Sequence, residues 1–230
     1  MLTEKQIAAM IDLSCVRTNN TKAEIEELVN GAKKYEIGQV TVLQSFVPYV
    51  KELLKGDPKI KLSGNVSFPA GSNSTSLKVI QTMELVASGC DEIDMVMNVG
   101  RFLSGEYAEV QADVQAVVKA AHPLLVKVII EMFYLNPKQV EIACVLCINA
   151  GAAFIKTGTG WIGNGTTVDD IRLIKSIVGD RIQIKASGGI RDLDTLVEMY
   201  KQGARRFGVN LRSGIKIIEE CAADADKLAL

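Results

Sequence analysis

Ala153-Phe154-Ile155-Lys156-Thr157-Gly158-Thr159-Gly160 is a short apolar stretch that ends in a lysine and a glycine loop. Ile182-Gln183-Ile184-Lys185-Ala186-Ser187-Gly188-Gly189 repeats the pattern further along the chain. Between them, Thr166-Thr167-Val168-Asp169 is a helix-start signal, and the helical pattern ends near Gly179. This order of strand, helix and strand predicts a right-handed βαβ unit whose two strands are parallel neighbours.

The same alternation runs along all 230 residues. Apolar strand patterns lie at residues 11–16, 38–43, 62–68, 92–97, 124–130, 153–156, 182–185 and 206–209. Helical patterns lie at residues 22–35, 72–89, 104–121, 138–150, 166–179 and 192–203. Eight such units without a linker predict a (β/α)8 TIM barrel that forms a single domain over residues 1–230, near the about 250 residues typical of that fold.

An open, doubly wound sheet is the alternative fold. Such a sheet normally carries a Gly-x-Gly-x-x-Gly loop after its first strand. Here the residues after the first strand, 15–20, include no glycine. The closed barrel is therefore favoured.

The composition limits the classes of partner. Hydrophobic residues make up 48% of the chain and charged residues 23%, as in a soluble enzyme. A net charge of −1 offers no basic surface for nucleic acid. No apolar run approaches the about 18 residues of a membrane span, so no membrane partner is expected. The opening residues lack the pattern of a secretion signal, and we expect a cytoplasmic protein.

The five cysteines suggest neither disulfides nor a metal site. Cys144 and Cys147 have the C-x-x-C spacing of redox and zinc sites, but they lie in a helical pattern with no second ligand pair nearby. The single histidine, His122, precedes a proline in a loop. We expect core cysteines and no metal.

The two strand-borne lysines are the main chemical signal. Lysine is among the residues least often buried, so two lysines in adjacent core strands need a reason. Two neighbouring ammonium groups in a dry pocket oppose each other's charging, so one can become a neutral amine that attacks a carbonyl and forms a Schiff base. The alternative is a pair of surface lysines beside glycine turns.

Side-chain alternation extends the cluster to two more residues. Positions two apart share a strand face, which predicts that Asp94, Lys127, Lys156 and Lys185 meet in one cavity if these faces point inward. A carboxylate among three lysines limits their repulsion and can move protons, as a relay around an amine nucleophile requires. A purely structural ion pair between Asp94 and Lys127 is the alternative, and both can hold together.

Glycine loops after strands six to eight predict an anion site. They contain Gly158 to Gly160, Gly188 to Arg191, and Gly208 to Gly214. The last two lead into helices, whose N-termini favour anions, and the loops after strands seven and eight are the usual phosphate site of a barrel. Such loops also serve simply to turn the chain.

Several of these motifs closely resemble those of the deoxyribose-phosphate aldolase family. They are Ile11-Asp12-Leu13, Ser67-Phe68-Pro69-Ala70-Gly71, Asp91-Glu92-Ile93-Asp94-Met95-Val96, Leu125 to Glu131, Ile155 to Gly160 and Lys185 to Arg191. The resemblance covers nearly the whole chain, in order. It implies a class I aldolase with a (β/α)8 fold and no cofactor, which reversibly joins acetaldehyde to glyceraldehyde 3-phosphate and serves deoxyribose phosphate and nucleoside catabolism.

The resemblance also assigns roles. Lys156 matches the Schiff-base lysine, Lys185 the lysine that lowers its pKa, Asp94 the acid that moves protons through water, and Lys127 a supporting member. The candidates for binding substrate or phosphate are Gly158, Gly188, Gly189, Arg191, Gly208, Asn210 and Arg212.

Three departures from the family pattern concern substrate binding. Gly158 stands where a serine is usual, Thr41-Val42-Leu43-Gln44 replaces Cys-Val-Asn-Pro, and Asn210-Leu211 replaces two small or hydroxyl residues. Two alternatives therefore stay open: the same chemistry on a different or non-phosphorylated aldehyde, and a barrel that binds a sugar phosphate without turnover. Expected partners are small aldehydes and sugar phosphates, with a homodimer or homotetramer possible.

Overall fold

The computed structural model describes residues 2–223, and the remaining residues of the predicted domain lie outside that range. Its eight strands are all parallel to their neighbours and close into a barrel in sequence order, because β8 pairs with β1. The strands are β1 (Ile11–Cys15), β2 (Gln39–Val42), β3 (Lys61–Val66), β4 (Glu92–Val96), β5 (Leu125–Ile129), β6 (Phe154–Lys156), β7 (Gln183–Ser187) and β8 (Ala204–Val209). The predicted (β/α)8 barrel is confirmed.

Helices surround the barrel on its outside. They are α1 (Glu4–Met10), α2 (Lys22–Lys34), α3 (Val47–Leu53), α4 (Thr75–Ala87), α5 (Val99–Leu103), α6 (Tyr107–Ala121), α7 (Pro137–Asn149), α8 (Val168–Val178), α9 (Leu193–Lys201) and α10 (Leu211–Ala223). Capping boxes start α2 at Thr21 and α8 at Thr167, where the sequence signals predict helix starts. The helices α1, α3 and α5 were not predicted, because five to seven residues are too few for a reliable apolar period.

The apolar core lies between the barrel and the helices. It contains the outward residues of the strands and the inward faces of the helices, such as Val128 on β5 and Val114 on α6. Cys144 and Cys147 are buried free thiols on α7, and burial raises the pKa of Cys144 to about 12. They therefore pack as core residues, as expected.

A buried ion pair between two helices contacts the end of β4 from outside the barrel. The Lys78 ammonium on α4 lies 2.6 Å from the Asp113 carboxylate on α6 and donates to the Val96 carbonyl at 3.0 Å. Burial lowers the pKa of Lys78, although Asp113 opposes that shift. The pair ties two helices to the carboxyl end of the strand that carries Asp94.

None of the helices within the described part of the chain combines the length and apolar character that a membrane crossing needs.

Candidate active site

The barrel interior is polar near its carboxyl end. Asp94, Lys127 and Lys185 point inward and are almost fully buried, as the alternation predicts. Lys156 and Lys185 are direct partners in the β6–β7 ladder, and Asp94 and Lys127 in the β4–β5 ladder. Lys156 ends β6 as predicted, but β7 continues two residues beyond Lys185, which therefore lies in mid-strand.

Asp94 is the centre of this cluster. One carboxylate oxygen, Oδ2, accepts from Lys156 Nζ at 2.8 Å and from Lys185 Nζ at 2.9 Å. The other, Oδ1, accepts from Lys127 Nζ at 2.9 Å and from the Ser63 hydroxyl at 3.0 Å. Burial opposes ionisation, but the three ammonium groups outweigh it and hold the pKa of Asp94 well below its usual value.

Lys156 has the lowest proton affinity among the clustered lysines for which a shift is resolved. Burial lowers its pKa from 10.5 to about 8, and the charges of Lys185 and Lys127 act in the same direction, while Asp94 opposes them. Its side chain is 7% exposed, compared with 1% for Lys185 and none for Lys127. Lys156 is thus an amine with a lowered pKa that is also open to a ligand.

Lys185 has an additional anionic partner. Its Nζ lies 2.5 Å from Asp12 Oδ2 and 2.9 Å from Asp94 Oδ2. Burial lowers its pKa, but the two carboxylates outweigh burial and raise the pKa above its usual value. Lys185 therefore stays charged, and its charge helps to lower the pKa of the neighbouring Lys156.

A second layer of ion pairs lies deeper in the barrel and contacts the cluster around Asp94. Lys127 Nζ lies 2.5 Å from Glu92 Oε2, and the Arg206 guanidinium pairs with both Asp12 and Glu92. Burial raises the pKa of Glu92, but Lys127 and Arg206 outweigh it and lower that pKa overall. These contacts fix Lys127 and Asp12, the supports of Asp94 and Lys185.

Asp12 and Arg206 are members of the network that sequence reasoning did not single out. A carboxylate inside the apolar stretch Ile11-Asp12-Leu13 was a usable signal, by the same logic as the lysines. Arg206 was not distinguishable from Arg205, because the β7–β8 pairing slips by one residue at Ile184 and Lys185. The slip places Arg206 opposite Lys185, and alternation alone cannot predict it.

The charges inside the barrel nearly cancel. Four interior cations, Lys127, Lys156, Lys185 and Arg206, contact three carboxylates, Asp12, Glu92 and Asp94, and the half-exposed Lys61 also pairs with Glu92. With all seven ionised, one positive charge is in excess, and loss of the Lys156 proton removes that excess. The whole cluster, as well as the nearest neighbour, therefore favours a neutral Lys156 amine.

The loop after Lys156 is held by Glu131. This carboxylate accepts from the backbone N–H of Thr159 at 3.0 Å and from its hydroxyl at 2.5 Å. A Cβ on Gly158 would lie 2.7 Å from Glu131 Oε1 and 2.7 Å from the Phe133 ring. The phenyl ring thus takes the space that a side chain at Gly158 would need, which accounts for the glycine. Gly158 does not line the cavities described below.

A small cavity of about 20 Å³ opens directly onto Lys156. Its wall includes Thr41 of β2, Asn65 of β3 and Phe68. Gly208 of β8 also lines it, and a Cβ there would lie 2.7 Å from the Ser187 hydroxyl and 3.5 Å from Lys185 Cε. Glycine at this position keeps open the space above Lys185.

A larger cavity of about 840 Å³ lies outside the small one, at the carboxyl ends of the strands. The sequence predicts six of the residues that line it: Gly188, Gly189, Arg191, Gly208, Asn210 and Arg212. Backbone φ angles of +98° and +81° require glycine at 188 and 189, and a Cβ on Gly189 would lie 2.7 Å from Gly165 Cα. The loop that contains Gly165 and the loop that contains Gly188 and Gly189 thus contact each other at this wall.

Three arginines line the larger cavity, namely Arg17, Arg191 and Arg212. Arg17 was not predicted. Its guanidinium donates to the Gly160 carbonyl at 2.8 Å and lies 5.2 Å from the ring centre of Trp161. Arg212 is exposed on the first turn of α10, and Asn210 starts that helix by accepting from the Ser213 N–H at 2.9 Å.

Comparison with known proteins decides the family. The model of the DeoC/LacD aldolase family matches residues 6–216. The chain belongs to the DeoC/LacD family of aldolases. Two relatives are the deoxyribose-phosphate aldolases of Rhizobium meliloti (strain 1021), 37% identical over 96% of this chain and 90% of that enzyme, and of Carboxydothermus hydrogenoformans, 40% identical over 98% of this chain and all of that enzyme.

Solved structures agree with the family. The structure titled "QR15, an Aldolase" superimposes on this aldolase with a TM-score of 0.89 at 37% identity, covering 97% of this chain and 99% of that one. Among residues 2–223, no group of three or more His, Cys, Asp and Glu side chains is arranged to hold a metal ion. The site of the aldolase offers an amine with a lowered pKa, ionised carboxylates next to it, and an open cavity lined by three arginines together with Glu24 and Glu27.

Proposed function

We propose that this aldolase reversibly cleaves 2-deoxy-D-ribose 5-phosphate to acetaldehyde and D-glyceraldehyde 3-phosphate through a Schiff base on Lys156. One observation carries the proposal. Lys156 Nζ, with a pKa of about 8, opens onto a cavity while lying 2.8 Å from an ionised carboxylate. The names of the two relatives given above indicate the same substrate.

The first step is attack of the Lys156 amine on C1 of the open-chain sugar. The adduct loses water and becomes a protonated imine, which withdraws electrons from C2. Near pH 8 about half of the Lys156 side chains are neutral, so the nucleophile exists at physiological pH. Asp94 Oδ2 lies beside Nζ and stabilises the cationic imine as it forms.

Carbon–carbon cleavage follows from the imine. Removal of the C3 hydroxyl proton lets the C2–C3 bond break, its electron pair moves toward the iminium, and glyceraldehyde 3-phosphate leaves. Protonation of the resulting enamine at C2 and hydrolysis release acetaldehyde. Asp94, bonded to both lysines, serves these proton transfers through water, Lys185 stays charged beside it, and Lys127 holds the second oxygen of Asp94.

The phosphate binds in the larger cavity. The backbone N–H groups of Gly188 and Gly189 and the N-terminus of α10 next to Asn210 supply donors for an anion. Arg191 and Arg212 add positive charge at the rim, where Arg17 is already oriented by Gly160 and Trp161. Charge-assisted bonds to phosphate are stronger than neutral ones.

A panel assay tests the proposal. Purified protein is assayed for release of free aldehyde from 2-deoxyribose 5-phosphate, 2-deoxyribose and other sugar phosphates. We expect the highest kcat/KM for 2-deoxyribose 5-phosphate, loss of turnover in Lys156→Ala, and no change in Lys138→Ala, an exposed lysine control. A higher value for a free sugar favours a different aldehyde acceptor. Binding without turnover favours a sugar-phosphate-binding barrel.

We also propose that the aldolase is cytoplasmic and self-associates as a homodimer or homotetramer. Five buried cysteines that form no disulfide suit a reducing compartment.

Leu77, Ile80 and Met83 on α4 are 51%, 59% and 59% exposed, an apolar face of the kind that marks interfaces. Light scattering should give a mass for the wild type that is a multiple of the chain mass. Ile80→Lys should reduce this mass, and the control Val145→Lys on α7 should leave it unchanged. A monomeric wild type would contradict the proposal.

A further inference from the structure

Ser187 lies at the junction of the two cavities. It follows Lys185 by two residues on the same face of β7, and it lines both the small cavity beside Lys156 and the larger cavity. Its ladder partner is Gly208 of β8, which also lines both cavities. A substrate that is bonded to Lys156 and extends into the larger cavity therefore passes this residue.

The backbone of Ser187 is held on both sides, while its side chain has no partner. Its N–H donates to the Thr157 hydroxyl at 2.9 Å, and its carbonyl accepts from the hydroxyls of Thr157 and Thr166 at 3.1 and 2.8 Å. Within residues 2–223, neither these bonds nor the strand pairing involves Ser187 Oγ. A fixed backbone thus carries a hydroxyl whose hydrogen-bonding capacity is unused.

This hydroxyl is open to a ligand. A Cβ on Gly208 would lie 2.7 Å from Ser187 Oγ, so the oxygen points at the side of Gly208 that carries no side chain. Within residues 2–223, the side-chain atoms that are sealed from solvent and lack a partner are Asn65 Oδ1 and Trp161 Nε1. Ser187 Oγ lacks a partner and is not one of them, so it faces cavity space. There it can both donate and accept.

The other two hydroxyl side chains that line both cavities are already bonded. The Ser14 hydroxyl donates to the Val209 carbonyl at 3.1 Å. The Thr159 hydroxyl donates to the Glu131 carboxylate at 2.5 Å. Each of these hydroxyls has one hydrogen, which is used. Among the described residues, Ser187 therefore supplies the junction hydroxyl that still has a hydrogen to donate.

The substrate group nearest this hydroxyl is the one on C4. In the proposed reaction, C1 is bonded to Lys156 Nζ, and the phosphate on C5 binds at the N–H groups of Gly188 and Gly189. Gly188 directly follows Ser187, so the carbon next to C5 lies beside Ser187. The β6–β7 register pairs Lys156 with Lys185, which places Ser187 about 6–7 Å nearer the carboxyl end of the strand. This is the direction in which the substrate leads from C1 to its phosphate.

We propose that Ser187 binds the C4 hydroxyl of the substrate and makes the enzyme selective for aldehydes that carry a hydroxyl next to the carbonyl. In the direction of synthesis, C4 of the product is C2 of glyceraldehyde 3-phosphate. The inference rests on the proposed function and deepens it, because it names the residue that distinguishes a 2-hydroxyaldehyde phosphate from its deoxy analogue.

The test compares two acceptors that differ in this one hydroxyl. D-glyceraldehyde 3-phosphate and 3-oxopropyl phosphate are each condensed with acetaldehyde, and the product is measured by liquid chromatography and mass spectrometry. The wild type should have the higher kcat/KM for glyceraldehyde 3-phosphate. Ser187→Ala should lower the ratio of the two kcat/KM values by about fivefold or more, the worth of one hydrogen bond. Because both acceptors are measured on the same preparation, a loss of folded enzyme cancels in the ratio.

Ser14→Ala is the matched control. Ser14 lines the same two cavities, but its hydroxyl donates to a backbone carbonyl. Its removal should leave the ratio of the two kcat/KM values unchanged. A ratio that falls in Ser14→Ala and not in Ser187→Ala would overturn the inference.

The outcomes separate this inference from the proposed function. If the wild type uses both acceptors equally well, or if Ser187→Ala slows both equally, Ser187 does not recognise the C4 hydroxyl. The inference is then wrong, while turnover by the wild type still supports the Schiff-base function. A wild type that condenses acetaldehyde with neither acceptor would overturn the proposed function, and the inference with it.

Discussion

At the scale of single residues, two neighbouring lysines differ because their carboxylate partners differ. Within residues 2–223, the Lys156 ammonium pairs with one carboxylate, Asp94, while that of Lys185 pairs with Asp94 and Asp12. Burial acts on both, but only Lys185 has enough negative charge around it to overcome burial. The pKa of Lys156 is thereby lowered to about 8, while Lys185 stays its positive neighbour.

Replacing Lys185 should move the pH dependence of the reaction. The neutral amine is the reactive form, so kcat/KM falls as the pH drops below the pKa of Lys156, about 8. Lys185→Leu removes a charge that lowers this pKa and leaves Asp94 to act more strongly on Lys156. We expect the acidic limb of the profile to shift to higher pH, with activity regained in alkali.

Lys127→Leu is the matched control for this shift. Lys127 bonds the other oxygen of Asp94 and ranks below Lys185 among the causes that lower the pKa of Lys156. Its loss should shift the acidic limb less. A Lys185→Leu profile that is lower at every pH but unchanged in shape would mean that Lys185 positions substrate instead.

At the scale of elements, the loop after β6 depends on the segment after β5. Gly158 has no room for a Cβ because Phe133 and Glu131 occupy the space, and Glu131 also holds Thr159. The sequence reveals the glycine but not its cause, since residues 133 and 158 meet only in the folded barrel. Gly158 was predicted to bind substrate, and its packing suggests a structural role.

A double-mutant cycle tests this contact. Gly158→Ala should lower the free energy of unfolding by about 1–3 kcal/mol through overpacking. In a Phe133→Leu background, where the ring is gone, the cost should be smaller by at least about 0.5 kcal/mol. Urea unfolding of the four proteins measures this difference. Additive effects would show that the ring does not restrict residue 158.

The junction of β8 and α10 decides how phosphate is recognised. Arg212 lies on the first turn of α10, is exposed, and lines the larger cavity. The sequence predicts Arg212 as a candidate for binding phosphate, although the direction of its side chain depends on the phase of the helix. Its place on the wall of the larger cavity favours that role.

Arg212→Ala should weaken binding of the phosphorylated substrate only. We expect KM for 2-deoxyribose 5-phosphate to rise about tenfold, the loss of one charge-assisted bond, with little effect on 2-deoxyribose. Arg205→Ala is the control, because Arg205 stacks on Tyr200 and does not line the cavity. Equal effects of Arg212→Ala on both sugars, or none on either, would exclude Arg212 as a phosphate ligand.

At the scale of the whole molecule, periodicity was enough to predict the barrel and the meeting of Asp94, Lys127, Lys156 and Lys185. The alternation of side chains along each strand predicts that these four side chains point into the barrel. The order of the parallel strands predicts that they are neighbours. The place of Arg206 depends on a slip in the pairing of β7 with β8, which is not a local property of the sequence.

The barrel also acts as one electrostatic unit. Its interior cations exceed its carboxylates by one, and Lys156 is the member whose pKa is lowered to about 8. A Schiff base at this position forms a cation where the network already accommodates an ammonium group. Lys156, and no other lysine, should therefore form the covalent intermediate.

Reductive trapping tests that claim most directly. The enzyme is incubated with acetaldehyde and borohydride, digested, and mapped by mass spectrometry. We expect one added ethyl group, on the peptide that contains Lys156, and no label in Lys156→Ala. An ethyl group on Lys185, or an enzyme that turns over substrate without any label, would contradict it.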